Sequence, residues 1–420
     1  MRPLSPLPEW LTLEHQVAQI LTEQEEHGWY IDESSARELE STLRREYEET
    51  TRLLCNRHPY VEGPRFCPKR SNKRTGYVEG APLTKLKDTN PTSRDHIAWI
   101  LQIHYGWTPS LMTSTGKPVI NETVLKDVGT DIALQFLKLL DLTKQLGMIS
   151  EGVNAWQKLV TTSSRIHHHC SVATSTFRCA HRKPNLAQVP SDERFRKLFQ
   201  ATPGKVMVGA DLSGIELRML AHYLARYDQG RYTRILTTGD IHATNAERIG
   251  ITRSQVKTVT YAFLYGAGDR KIGVSYDKQL SEEAATKKGR EIRKAYVDAI
   301  PGLKELLEGV HKASERGFVY GLDHRRILVD SRHKSLNYLL QGSSAVLAKK
   351  WMVLTNERLP RYTDQLAFVH DELQYECKEE EVEDLKCLLE LTAVKAGEYY
   401  NMRCPVAAES KSGTTWADVH

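Results

Sequence analysis

Apolar positions recur at helical spacing through the first third of the chain. Leu11, His15, Ile20 and Trp29, followed by the Glu/Arg-rich stretch Ser34–Leu54, predict helix over 10–55. Residues 56–92 break that pattern with Pro59, Gly63, Pro64, Pro68, Gly76, Gly80, Pro82 and Pro91, around a basic knot from Lys69 to Arg74. This composition reads as a loop or a small excursion. Helix resumes near Ser93 and again over 131–160. A β-prone segment follows from Arg165 to Thr176, and short strands then alternate with long helices to the end. The first third is therefore mainly helical and the remainder mixed, which makes the fold class α+β.

At 420 residues the chain has room for about two to four domains. Hydrophobic residues are 40% and charged residues 26% of the total, a soluble, globular balance. No apolar run approaches the roughly 20 residues that span a bilayer, so no membrane partner is expected. The start of the chain has no apolar signal core, and the seven cysteines include no C-x-x-C pair. Reduced thiols in a cytoplasmic setting are expected. The net charge of +5 names no partner, but its distribution is uneven: residues 1–50 carry −8, residues 51–100 carry +6 and residues 151–200 carry +5. Basic stretches of this kind suit a phosphate backbone and equally suit solvated helix faces.

Three segments carry candidate chemistry. In Lys205–Arg218 an apolar strand ends at Asp211, and a helix begins after Ser213. A strand end holds a carboxylate rigidly, as a metal ligand requires, although Asp211 alone reads equally as a helix N-terminal acid. In Gln365–Cys377 two β-prone arms flank His370-Asp371-Glu372, a hairpin with acids at its turn. Turns favour Asp for local hydrogen bonding as well. Acids on two neighbouring strand ends could together hold two divalent cations about 4 Å apart, the layout for in-line phosphoryl transfer. In the third segment Thr252 and Gln255 form a capping box, and Gly266 and Gly268 stop the helix. Arg253, Lys257 and Tyr261 fall on one face of it, which suits a triphosphate with a sugar or base, or a solvated basic edge with a core tyrosine.

These segments in order, D-x-S-x-x-E-L-R, R-x-x-x-K-x-x-x-Y-x-x-x-Y-G and V-H-D-E, resemble motifs A, B and C of the family A (DNA polymerase I-like) DNA polymerases. The resemblance extends to the segment from Phe177 and Arg178 through Asn185 to Gln188, to Asp240-Ile-His242, to Asn337 and Gln341, and to the thumb-like stretch Asn90–Arg94. The wording of several segments, including the closing Trp416–His420, is most similar to the replicative polymerases of short-tailed bacteriophages.

The resemblance implies a right-hand polymerase fold. The thumb would be residues 1–160 with a basic loop at 56–92. The palm, an antiparallel sheet with helices, would be 161–232 and 320–420, and the helical fingers 233–319. It implies a template-directed polymerase that adds deoxynucleotides to a primer 3′ end with two Mg²⁺ ions, in phage DNA replication and in the cytoplasm of an infected bacterial host. Asp211, Asp371 and the backbone of Leu212 would hold the metals. Arg253, Lys257 and His242 would clamp the phosphates of the dNTP, with Lys257 also a proton donor. Tyr261 would pack on the incoming nucleotide, and Glu216 would exclude a 2′-hydroxyl. Arg178, Asn337, Gln341 and His370 would touch the minor groove of the primer–template DNA.

Departures from the family pattern shape further expectations. The thumb-like helix begins within about 10 residues of Met1, and no early Asp-x-Glu cluster occurs, so a proofreading exonuclease is not expected in this chain. A separate exonuclease or processivity subunit stays open. Thioredoxin binding is not expected, because the segment at 56–90 is short. Phe177 stands where relatives often carry glycine. His167-His168-His169-Cys170 looks like a metal cluster, but consecutive strand residues face opposite ways, so no zinc site is expected from that run.

Overall fold

The computed structural model describes residues 7–172, 174–277 and 280–420. The chain divides into two compact units, one of residues 34–158 and one that joins residues 1–33 to 159–420.

The 34–158 unit is built around the helices Glu33–Arg57, Arg94–Tyr105 and Asp131–Leu146. Local chemistry sets their limits. Ser93 and Thr130 each cap a helix by accepting a backbone N–H three residues on. Ile132, Ala133, Phe136, Leu139 and Leu142 form one buried face, and those up to Leu139 pack against Leu54, Ile97, Ile100 and Leu101. The expected helix over 131–160 ends early. It passes into a π-turn at Gly147–Glu151, and a short helix, Trp156–Leu159, follows. The predicted loop at 56–92 contains an antiparallel pair, Tyr60–Phe66 with Leu83–Asp88, whose side chains are almost all exposed. Without a buried face, that pair shows no alternation for a sequence reading to detect.

The predicted helix over 10–55 is two helices, Glu9–His27 and Glu33–Arg57, separated by a strand at Trp29–Ile31. The first belongs to the larger unit, so that compact division begins at 34 where the sequence reading drew its boundary at residue 1. The reason is burial: Leu13, Val17, Ile20 and Leu21 share one core with Val346, Trp351, Phe368 and Tyr375.

The centre of the larger unit is a four-stranded antiparallel sheet in the order Asp364–Val369, Glu372–Cys377, Val206–Leu212, Ala408–Gly413. The first two strands form the expected hairpin around the turn His370-Asp371. Their continuously buried pattern marks a sheet covered on both faces. The helices Ser335–Asn356 and Val382–Tyr399 pack together and contribute buried residues to the same core. A helical region, 231–314, carries the segment that begins at Thr252. There the capping box forms as predicted, and the helix runs Arg253–Leu264. Gly266 ends it with a left-handed φ of 69°, whereas Gly268 caps the next helix, Asp269–Tyr276. That helix crosses Glu282–Ala299 at Gly273 and Gly289. A Cβ on either glycine would collide with the partner helix's backbone, at Ala285 and Asp269 respectively.

Candidate active site

The register of the central sheet decides which acids meet. Asp211, one residue from the end of its strand, lies opposite Glu372 on one side and Glu409 on the other. The backbone N–H of Leu212 donates to the carbonyl of Asp371 at 3.0 Å. Two segments 160 residues apart are thereby joined at the point where each presents its aspartate. The two-residue turn requires His370 at φ 60°, a conformation that costs a non-glycine residue roughly 1–2 kcal/mol. Such strain is concentrated at functional sites.

A cavity of about 290 Å³ opens over this junction, lined by Arg178, Asp211, Leu212, Glu216, Tyr261, Tyr265, His370 and Asp371 among others. Six of the expected site residues and the Leu212 backbone thus share one space. Burial, then the Asp371 and Glu372 charges, pushes Asp211 up to about 7. Burial likewise lifts Asp371 to about 6, with Arg178 opposing the rise and Glu216 adding to it. The pair is thus a set of hard oxygen donors that burial and mutual repulsion leave poorly compensated, a donor type that suits a divalent cation. Glu372, the third acid of the motif, is committed elsewhere. It is buried and accepts from Trp416 Nε1 at 2.7 Å, with the Gln374 amide and the His420 ring also against it.

Glu216 is fixed by two donors. Arg178 Nη2 reaches its carboxylate at 2.8 Å, and Tyr265 Oη at 2.8 and 3.0 Å. Tyr265 is the second tyrosine of the R-x-x-x-K-x-x-x-Y-x-x-x-Y-G segment, to which the sequence alone gives no role. Its i+4 spacing from Tyr261 was the available signal, because that spacing puts both rings on one face of the helix. Glu409 was missed altogether. Nothing in its surroundings, Ala407-Ala408-Glu409, marks it until the strand is paired.

The remaining expected residues lie outside this cavity. Arg253 donates to Asp240 Oδ2 at 2.6 Å, and Asp240 also caps the helix Ile241–Ile249 that carries His242. The His242 ring is buried, its Nδ1 has no partner among the described residues, and it stands 6.3 Å from the Tyr261 ring. Burial holds its pKa below the ordinary histidine value. Lys257 is exposed on the same helix as Arg253. Asn337 donates its side-chain amide to the carbonyl of Leu264 at 2.9 Å, tying its helix to the end of the Arg253–Leu264 helix. Gln341 follows one turn later, half-buried. Phe177 keeps a left-handed φ of 60° and lies under the Arg325 guanidinium at 4.7 Å.

Residues 73–418 match the family described as DNA polymerase family A. The chain is 32% identical to the DNA-directed DNA polymerase of Enterobacteria phage T3, over 98% of this chain and 70% of that protein. The figures are the same for the polymerase of Escherichia phage T7. Among solved structures it superimposes on the POL domain of Pol1 from M. smegmatis, in complex with DNA primer-template and dNTP. The TM-score is 0.80 at 21% identity, covering 96% of this chain and 70% of that one, which is evidence of a shared fold. The motifs, the paired aspartates and these matches agree: the chain belongs to DNA polymerase family A, as a DNA-directed DNA polymerase related to those of phages T3 and T7.

Proposed function

We propose that this polymerase adds deoxynucleotides to a primer 3′ end by two-metal phosphoryl transfer, in phage DNA replication. The observation that carries this reading is the single cavity in which Asp211 and Asp371 meet Glu216, Tyr261 and Tyr265. Family A polymerases use divalent metal ions. Here Asp211, Asp371 and the Leu212 carbonyl would hold two Mg²⁺, which when bound lower the pKa of the primer hydroxyl and offset charge on the transferring phosphate.

The protein's own groups do the rest. Arg253, Lys257 and His242 hold the β- and γ-phosphates. Asp240 keeps the Arg253 guanidinium oriented until a triphosphate competes for it. Lys257 Nζ carries a proton that can pass to the departing pyrophosphate. Tyr261 packs on the incoming sugar and base. Glu216, held by Arg178 and Tyr265, fills the space a 2′-hydroxyl would need. Arg178, Asn337, Gln341 and His370 face minor-groove acceptors common to all correct pairs, so the terminus is checked by shape without reading sequence. In this reading the 34–158 unit is most of the thumb, the central sheet the palm, and the 233–319 helices the fingers.

The polar packing of Glu216 favours this over an RNA polymerase relative, whose site must accept the 2′-hydroxyl. A two-metal nuclease would leave the Arg253–Tyr261 face without a purpose. Primer extension with dNTPs and with rNTPs separates these readings. Template-dependent extension restricted to dNTPs is expected, and extension equal with rNTPs, or degradation alone, would overturn it. Among the described residues no helix is long and apolar enough to cross a membrane. The work would be done in the cytoplasm of an infected host.

A further inference from the structure

A second chemical cluster lies behind the catalytic turn. The strand His169–Ser171 pairs with Ala180–Arg182 so that Cys170 stands opposite His181. Alternation holds through the run that leads into this strand: His167 and His169 bond to Glu25, its carbonyl and carboxylate respectively. The same alternation puts His168 and Cys170 on the other face, and His181 joins them from the neighbouring strand. All three are buried, and one ligand atom from each lies within 4.8 Å of the other two.

The spacing approaches that of a filled site. Tetrahedral zinc, with Zn–S near 2.3 Å and Zn–N near 2.05 Å, separates its ligand atoms by about 3.3–3.6 Å. Cys170 Sγ lies 3.3 Å from His181 Nδ1. The buried Gln24 carboxamide closes the fourth side, 3.0 Å from His168 Nε2 and 3.6 Å from Cys170 Sγ. Its Oε1 faces away from the cluster and accepts from Gln365 Nε2 at 2.8 Å. Among the described residues the converging atoms, His168 Nε2, Cys170 Sγ and His181 Nδ1, are held only by a weak thiol donor and the Gln24 amide. Both imidazoles are buried, and a neutral imidazole offers one lone pair to a metal. His27, Asp364 and Glu376 also gather, but Lys205 and Arg165 already supply their positive charge.

We propose that His168, Cys170 and His181 bind one thiophilic divalent ion, zinc by the donor set, as a brace behind the catalytic hairpin. Binding replaces the Cys170 S–H bond by a sulfur–metal bond, and the proton leaves to solvent. The His181 ring stands edge-on to His370 at 6.5 Å, so a fixed His181 steadies the strained turn that presents Asp371. Two imidazoles and a thiolate select zinc or cobalt, whereas the all-oxygen catalytic pair selects magnesium.

The test is metal content and cobalt spectroscopy on the full chain without magnesium, which needs no activity readout. Wild type should retain one zinc per chain through dialysis. The Co²⁺-loaded form should show a thiolate-to-cobalt charge-transfer band in the near ultraviolet. Both should persist in a Cys67→Ser/Cys387→Ser variant, which lacks the exposed thiols. Cys170→Ser should lose the band and weaken zinc binding at least tenfold, and His181→Gln should do the same to zinc binding. Wild type without the band, or Cys170→Ser with wild-type zinc content, would overturn the proposal. The cobalt spectrum of wild type decides the matter even if a variant fails to fold.

Discussion

Tyr265→Phe isolates one of the two donors that fix Glu216. Its hydroxyl bonds both carboxylate oxygens, at 2.8 and 3.0 Å, and Arg178 supplies the other contact. Burial and then the Glu216 charge push the tyrosine up to about 12, so it remains a donor throughout the range in which a polymerase is assayed. A hydrogen bond to a charged group contributes about 1.5–3 kcal/mol, and a residue 48% exposed belongs at the lower end, because water can take the lost place. The Glu216 carboxylate would then leave its position more readily, and the space for a 2′-hydroxyl would open. About 1.4 kcal/mol is tenfold in rate, so the dNTP-over-rNTP ratio of kcat/KM should fall roughly tenfold. Glu216→Ala should lower it further. Tyr265→Phe added to Glu216→Ala should change nothing more, since the two act through one carboxylate. Single-turnover incorporation opposite a defined template base measures all four ratios. An unchanged ratio in Tyr265→Phe, or full additivity in the double variant, would refute the role of Tyr265 as the support of Glu216.

Other outcomes follow from the same geometry. Asp211→Ala or Asp371→Ala should abolish extension while primer–template affinity, measured by anisotropy, stays largely intact; near wild-type turnover would remove the two-metal assignment. Tyr261→Phe should discriminate against dideoxynucleotides roughly tenfold or more relative to wild type, because a hydroxyl that can replace the missing 3′-OH is lost; equal kcat/KM ratios would show that Tyr261 does not face the sugar. Burial works against ionised Glu376, yet hydrogen bonds from His27 and Thr202 and the Lys205 charge bring it from 4.5 down to about 2. A depressed carboxylate contributes stability that is full above 4.5 and is lost as pH falls toward 2. Glu376→Gln should therefore cost about 3 kcal/mol at pH 7, with the difference from wild type shrinking in denaturant titrations as pH falls through that window; a constant difference would refute this. Phe177→Gly should unfold at a higher denaturant concentration than Phe177→Ala, because only glycine escapes the left-handed penalty at φ 60°, and the reverse order would show that the backbone there is relaxed.

Local pattern in the chain determined a good deal. The capping box at Thr252 and Gln255, the helix carrying Arg253, Lys257 and Tyr261, and the hairpin turn at His370-Asp371 were all legible, because each is set by residues within one or two turns of one another. So was the family, since its motifs are local words in a fixed order. Pairing across distance was not. The Glu9–His27 helix looked continuous with the next one, and only its burial against residues more than 300 positions away assigns it to the sheet-bearing unit. Glu409 became a neighbour of Asp211 through strand register, and Tyr265 became the support of Glu216 by closing a gap of 49 residues. The run His167–Cys170 shows both sides at once. Strand alternation excluded four adjacent ligands, and the same alternation left His168 and Cys170 together on the buried face. His181 reached them only because an antiparallel ladder set it opposite Cys170. Backbone periodicity is written into neighbouring residues, whereas a site assembled from several strands depends on sheet register, which no single segment specifies.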